Sequence, residues 1–120
     1  IHDLIRFVTP RVKMVGTGWV ASAGTHIYLA AEKEDRFCLP NTRFMIHQPL
    51  GGVGGQAMDI QIEADEMLKA RDRLNKTIAQ CTGQPLERVE QDTDRNFWMS
   101  PEEAKDYGIV GRIISSISEL

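Results

Sequence analysis

The sequence is short of cysteine and of aromatic residues: two cysteines, and Phe, Trp and Tyr together only 7% of 120 residues. Cys38 and Cys81 lie far apart with no C-x-x-C or Cys/His spacing, which argues against a zinc ribbon or a disulfide scaffold and fits a reducing, cytoplasmic setting. There is no block of Lys or Arg: 14 basic residues stand against 17 acidic ones, a net charge of −3. The electrostatic footprint expected of a nucleic-acid or anionic-membrane partner is therefore missing. No apolar run approaches the roughly 20 residues of a membrane span. Neither G-x-x-x-x-G-K-[ST] nor G-x-G-x-x-G occurs, so no nucleotide cofactor is expected, and no spacing of acids, histidines or cysteines specifies a metal.

What is there describes one ordinary globular domain, residues 1–120, with 42% hydrophobic and 26% charged residues. The chain opens at Ile1 directly on a periodic segment, and an upstream part of the native chain is expected to be missing. Ile1, Leu4, Ile5 and Val8 fall at helical spacing before Pro10. Val12–Val15 reads as a strand that Gly16-Thr-Gly18 breaks, and residues 22–31 as a helix rich in small residues. Residues 36–39 and 43–46 are β-prone runs separated by Pro40-Asn41, two strands or a bent pair. Gln56 to about residue 81 keeps helical period, with Gly83 placed as a C-cap. At about 1.5 Å per residue such a helix nears 40 Å and should project from a domain of this size to pack against another copy. Pro85 opens a short helix, Ser100-Pro-Glu-Glu103 is a capping box with proline at N1, and Gly108 precedes a last strand over 109–114. The fold class is α/β.

Ser22 sits between small residues just ahead of a helix, where unpaired N–H groups and the positive dipole end suit a nucleophile and the Ala23 N–H suits an oxyanion. A serine at that place also caps helices very often, and spacing leaves both roles open. His47 at a strand end has the residue type of a general base near neutrality. His26 lies one helical turn beyond Ser22 and cannot readily fold back onto it, and His2 belongs to the opening helix. The glycine run 51–55 reads either as a hinge or as a bare edge able to pair with an extended peptide. Among Asp92, Asp94, Arg95 and Asn96, one side chain could orient His47.

These residues together resemble the ClpP family, the proteolytic subunits of the Clp protease, serine endopeptidases whose fold is shared with the crotonases. The likeness rests on Ala21-Ser22 before a helix, Arg36-Phe-Cys-Leu-Pro-Asn41, Met45-Ile-His47-Gln-Pro-Leu-Gly-Gly52, Thr82-Gly-Gln84, Asp92-Thr-Asp-Arg95 and Tyr107-Gly108, in that order. It implies repeated β-β-α units with a long projecting handle helix over about 56–81. It also implies Ser22 as nucleophile, His47 as general base, Ala23 as oxyanion donor, and substrate strands bound along Gly51, Gly52 and Val53. The family's third triad position is usually aspartate after an arginine; here Arg95 is followed by Asn96. Asparagine can hold the imidazole tautomer but brings no charge to stabilise imidazolium, so weak or assembly-dependent activity is expected. The resemblance further implies two stacked heptameric rings, of this chain alone or mixed with a paralogue, joined through Gln56, Asp59, Asp94 and Arg95. An AAA+ unfoldase of the ClpX, ClpA or ClpC type would feed unfolded proteins into the chamber. The alternatives are a catalytically impaired structural or regulatory subunit of a mixed ring, and a crotonase-type enzyme acting on acyl-CoA.

Overall fold

The computed structural model describes residues 1–48 and 56–120 of the chain. The elements are α1 (His2–Phe7), β1 (Met14–Gly16), β2 (Trp19–Ala21), α2 (Ala23–Tyr28), β3 (Arg36–Cys38), β4 (Arg43–Ile46), α3 (Ala57–Thr82), α4 (Leu86–Asp92), β5 (Phe97–Met99), α5 (Pro101–Tyr107) and β6 (Arg112–Ile113). Two β-β-α units follow one another, β1-β2-α2 and β3-β4-α3. Each strand of the first unit pairs in parallel with its counterpart in the second, β1 with β3 and β2 with β4.

Two three-stranded sheets result, ordered β1-β3-β6 and β2-β4-β5. The runs at 36–39 and 43–46 are therefore neighbours in sequence that serve different sheets. Gly16 and Gly18 explain the split: Leu39 N–H donates to Gly16 O at 3.0 Å and Arg43 N–H to Gly18 O at 2.7 Å, so the second unit's turn is laid along the first. Gly16 is part of β1 rather than a breaker, and a Cβ there would lie 3.1 Å from Val20 Cγ2, because the two sheets meet at that point.

Other boundaries also differ from the sequence reading. The second helix stops at Tyr28, and the three-residue strands β2 and β5 have no counterpart in the sequence reading. The last strand is confined to 112–113, since Ile109 and Val110 spend their N–H groups on Ala104 O, at 2.9 and 3.3 Å, prolonging the left-handed turn at Gly108.

The core lies where the sheets and α2, α4 and α5 meet. Leu29, Phe44, Ile46, Val89, Met99, Ile109 and Val110 are buried there, each contributing roughly 1.5–3 kcal/mol on leaving water. Helix α3 meets this core only through its last turns, where Asn75, Ile78 and Thr82 are buried. Its first half buries no residue, and Met58 (79% exposed) and Ile62 stay in water. This is the projecting helix that the periodicity called for.

Candidate active site

The second sheet builds the site. Ser22 follows β2 and His47 follows β4, and because those strands run parallel their ends coincide. Ser22 takes φ 57° and ψ −120°, the one non-glycine residue with positive φ among the described residues. Such a conformation costs about 1–3 kcal/mol and needs outside support. The support is local: Ser22 N–H donates to Met45 O at 3.2 Å, and the buried Thr25 hydroxyl lies 2.8 Å from Met45 O and 3.0 Å from Val20 O. The strand-to-helix bend is thereby tied to β4. Thr25 has no place in the sequence reading; a threonine one turn into a helix carries no distinguishing signal until the strand it reaches is known.

Ser22 occupies the N-cap position of α2 but does not cap it with its side chain. Its hydroxyl makes no bond to that helix's backbone and instead lies 2.7 Å from His47 Nε2. Ser22 is exposed and His47 half-buried, so the pair is open to solvent. With Nε2 accepting from the serine hydroxyl, a neutral imidazole carries its proton on Nδ1. That nitrogen is buried and has no hydrogen-bond partner among the described residues.

Asn96 stands where a partner for it would be sought. Strands β4 and β5 pair antiparallel through Phe44–Met99, Met45–Trp98 and Ile46–Phe97, and His47 and Asn96 are the residues that flank the end of this ladder. Asn96 is exposed and makes no bond to the imidazole. The chain beyond His47 is fixed by Gln48 N–H donating to Thr93 O at 2.8 Å. Thr93 is itself anchored, its hydroxyl bonded to Asn75 Oδ1 at 2.9 Å and Val89 O at 2.8 Å. Site, α4 and the base of α3 are thus one connected framework.

The remaining candidates are placed as follows. Ala23 is the first residue of α2, and its N–H precedes the intrahelical bonding pattern, beside Ser22. Gln56 and Asp59 open α3, while Asp94 and Arg95 are exposed in the turn before β5, Asp94 accepting a 3.4 Å bond from Gln48 Nε2. Gly51, Gly52 and Val53 lie outside the described residues. His2 and His26 are brought together away from the site, rings stacked at 4.4 Å. Burial, followed by the nearby His2, lowers the pKa of His26. Among the described residues no cluster of three or more His, Cys, Asp or Glu side chains is placed to hold a metal, and no helix is long and apolar enough to cross a membrane.

A hydroxyl held on a strained turn and bonded to an imidazole can be deprotonated as it attacks a carbonyl, the first half of acyl transfer. Comparison with known proteins points the same way. The family described as "Clp protease" matches residues 1–117. The chain is 58% identical over 120 residues to the ATP-dependent Clp protease proteolytic subunit 3 of Rhizobium etli. It is 51% identical over the same length to subunit 2 of Pseudomonas aeruginosa. All of this chain is covered in both cases, but it spans only 62% and 60% of those relatives. Among solved structures, an asparagine-to-aspartate variant of ClpP1 from Listeria monocytogenes superposes with a TM-score of 0.90 at 59% identity, covering 98% of this chain and 64% of that one.

Proposed function

The chain belongs to the Clp protease family and has its α/β fold, and from that premise we propose that residues 1–120 are one protease domain of a serine-type endopeptidase subunit working through Ser22, His47 and Asn96. The observation that carries the proposal is the 2.7 Å contact between Ser22 Oγ and His47 Nε2 on a strained turn. Ser22 Oγ attacks the carbonyl carbon of a peptide bond while its proton passes to Nε2. The oxyanion so formed is met by the Ala23 N–H, and His47 returns the proton to the departing amine. Water then repeats the sequence on the acyl-serine. Asn96, turning its amide oxygen towards Nδ1, would hold the tautomer this cycle requires. No cofactor enters these steps.

Within the same proposal, Gly51, Gly52 and Val53 receive the unfolded polypeptide as an added strand, and the projecting α3 joins two heptameric rings. Gln56 and Asp59 of one ring would then meet Asp94 and Arg95 of the other. An AAA+ unfoldase supplies substrate, in the cytoplasm. The test is labelling of the assembled, full-length protein with a fluorophosphonate probe. Ser22 should carry the adduct, and Ser22→Ala should abolish both labelling and short-peptide hydrolysis. Absence of labelling in every assembled form would refute the reading.

One observation favours a second reading, an impaired subunit that assembles or regulates active partners: His47 Nδ1 has no partner among the described residues and Asn96 is exposed to solvent. In a mixed complex that reading requires a peptidase rate indifferent to Ser22→Ala yet reduced when α3 is disrupted.

A further inference from the structure

Away from Ser22, the junction of α1, α2 and the C-terminal half of α3 forms a solvent-open cavity of about 760 Å³. Its wall includes Arg36, the first residue of β3 and only 2% exposed. Arg36 Nη2 donates to Cys81 O at 2.8 Å, near the negative end of the α3 dipole. That contact uses one of the five N–H donors a guanidinium carries. Nε and Nη1 are buried with no partner among the described residues, although a guanidinium cannot shed its charge to escape desolvation.

The cavity's own acids reach this cation only at a distance: Glu32 and Glu34 act on it electrostatically without pairing with it. Asp3, Glu32 and Glu34 lie on the wall, but among the described residues none forms an ion pair with Arg36, and Glu32 is paired with Arg6 at 3.7 Å. Arg6, Lys33 and Arg73 add positive charge around the same space, and a second orphaned group, His26 Nδ1, sits on the same wall. Burial lowers the pKa of the Arg36 guanidinium, and nearby Cys81, Tyr28, Glu32 and Glu34 offset that only in part. Elsewhere in the chain a guanidinium finds its acid: Arg11 grips Asp35 with Nε at 3.0 and 2.9 Å from the two carboxylate oxygens.

We propose that this cavity is a carboxylate site, with Arg36 turning its unpaired nitrogens outward to grip the carboxylate and Arg6 and Arg73 completing the positive surround. The carboxylate comes from a small organic acid or from an Asp or Glu side chain of the polypeptide itself; the chemistry is the same and one experiment separates the sources. None of the wall residues is Ser22, His47 or Asn96, and the readouts below do not involve peptide hydrolysis, so the outcome is independent of the protease reading.

The full-length protein is crystallised with 4-bromobenzoate, and its thermal midpoint is followed in the same acid against chloride of equal ionic strength. A bromine anomalous peak in the cavity, with the carboxylate within about 3.2 Å of Arg36, and a saturable rise of about 2–4 °C at ten times Kd establish a small-molecule site. A protein Asp or Glu on Arg36, with no response to 4-bromobenzoate, assigns the same chemistry to the polypeptide. Arg36→Lys, which keeps charge and a donor, should weaken the small-molecule effect at least tenfold, since an ammonium cannot form the planar fork. Arg36 meeting only water or backbone carbonyls with no bromine in the cavity overturns the proposal, as does a thermal response unchanged in Arg36→Lys.

Discussion

His47 follows β4 and Asn96 precedes β5, so both lie just past the end of the β4–β5 ladder, and His47 Nδ1 has no hydrogen-bond partner among the described residues. A buried N–H left without an acceptor costs about 1–3 kcal/mol, and here the cost falls on the imidazole that the proposed mechanism turns into a cation.

Replacing Asn96 by aspartate supplies that missing charge. Peptide hydrolysis by the assembled Asn96→Asp protein should rise at least tenfold, the reverse change in another serine protease costing about 10⁴ in kcat. A carboxylate beside Nδ1 stabilises the imidazolium formed as the serine hydroxyl gives up its proton, so the gain should lie in kcat rather than in KM. A gain confined to KM would mean that the introduced carboxylate acts by some route other than the imidazole.

Thr25 holds the bend at Ser22. Thr25→Val keeps the volume but deprives Val20 O and Met45 O of the hydroxyl. The expectation is a stability loss of about 1–2 kcal/mol in urea denaturation together with a fall of at least tenfold in the rate of fluorophosphonate labelling. Equal labelling rates would show that the strained turn stands without the threonine.

Asp35, its side chain 5% exposed, is gripped by Arg11, whose hydrogen bonds lower its pKa. A carboxylate with a depressed folded pKa contributes stability above its unfolded pKa of about 3.9, and that stability is lost as pH falls through the folded value. The difference in thermal midpoint between the parent and Asp35→Asn should therefore be full at neutral pH and shrink on acidification below about pH 4. A difference that stays constant across that range would assign the effect to packing.

Gly108 ends α5 at φ 104°, and a Cβ there would be driven into the Thr82 carbonyl. Gly108→Ala should destabilise by about 2–4 kcal/mol, strain and clash together. Chemical denaturation measures it directly, and a loss below about 0.5 kcal/mol would place the turn elsewhere than here.

Legibility followed range along the chain. The capping box at Ser100 and Glu103, the left-handed stops at Gly83 and Gly108, and the long period of α3 are each written within a few residues. Those signals are physical constraints on φ and on orphaned N–H groups, and they act wherever the segment finds itself. Ser22 and His47 stand out for residue type and setting, 25 positions apart, and the fold sets their side chains 2.7 Å from each other. By contrast β2 and β5 are not legible in the sequence, although β1 and β3 are just as short: β2 and β5 become strands by pairing with β4 on either side.

By itself, then, the sequence determined the chemistry available and the places where the chain must turn or stop, since a hydroxyl, an imidazole, a glycine and a proline act locally. Tertiary structure alone decided which strands share a sheet, that Ser22 faces an imidazole rather than its own helix, that Asn96 is exposed just past the β4–β5 ladder, and that Arg36 is buried with two nitrogens unpartnered among the described residues. The reason is that pairing and burial depend on groups tens of residues away, whose positions no local pattern encodes.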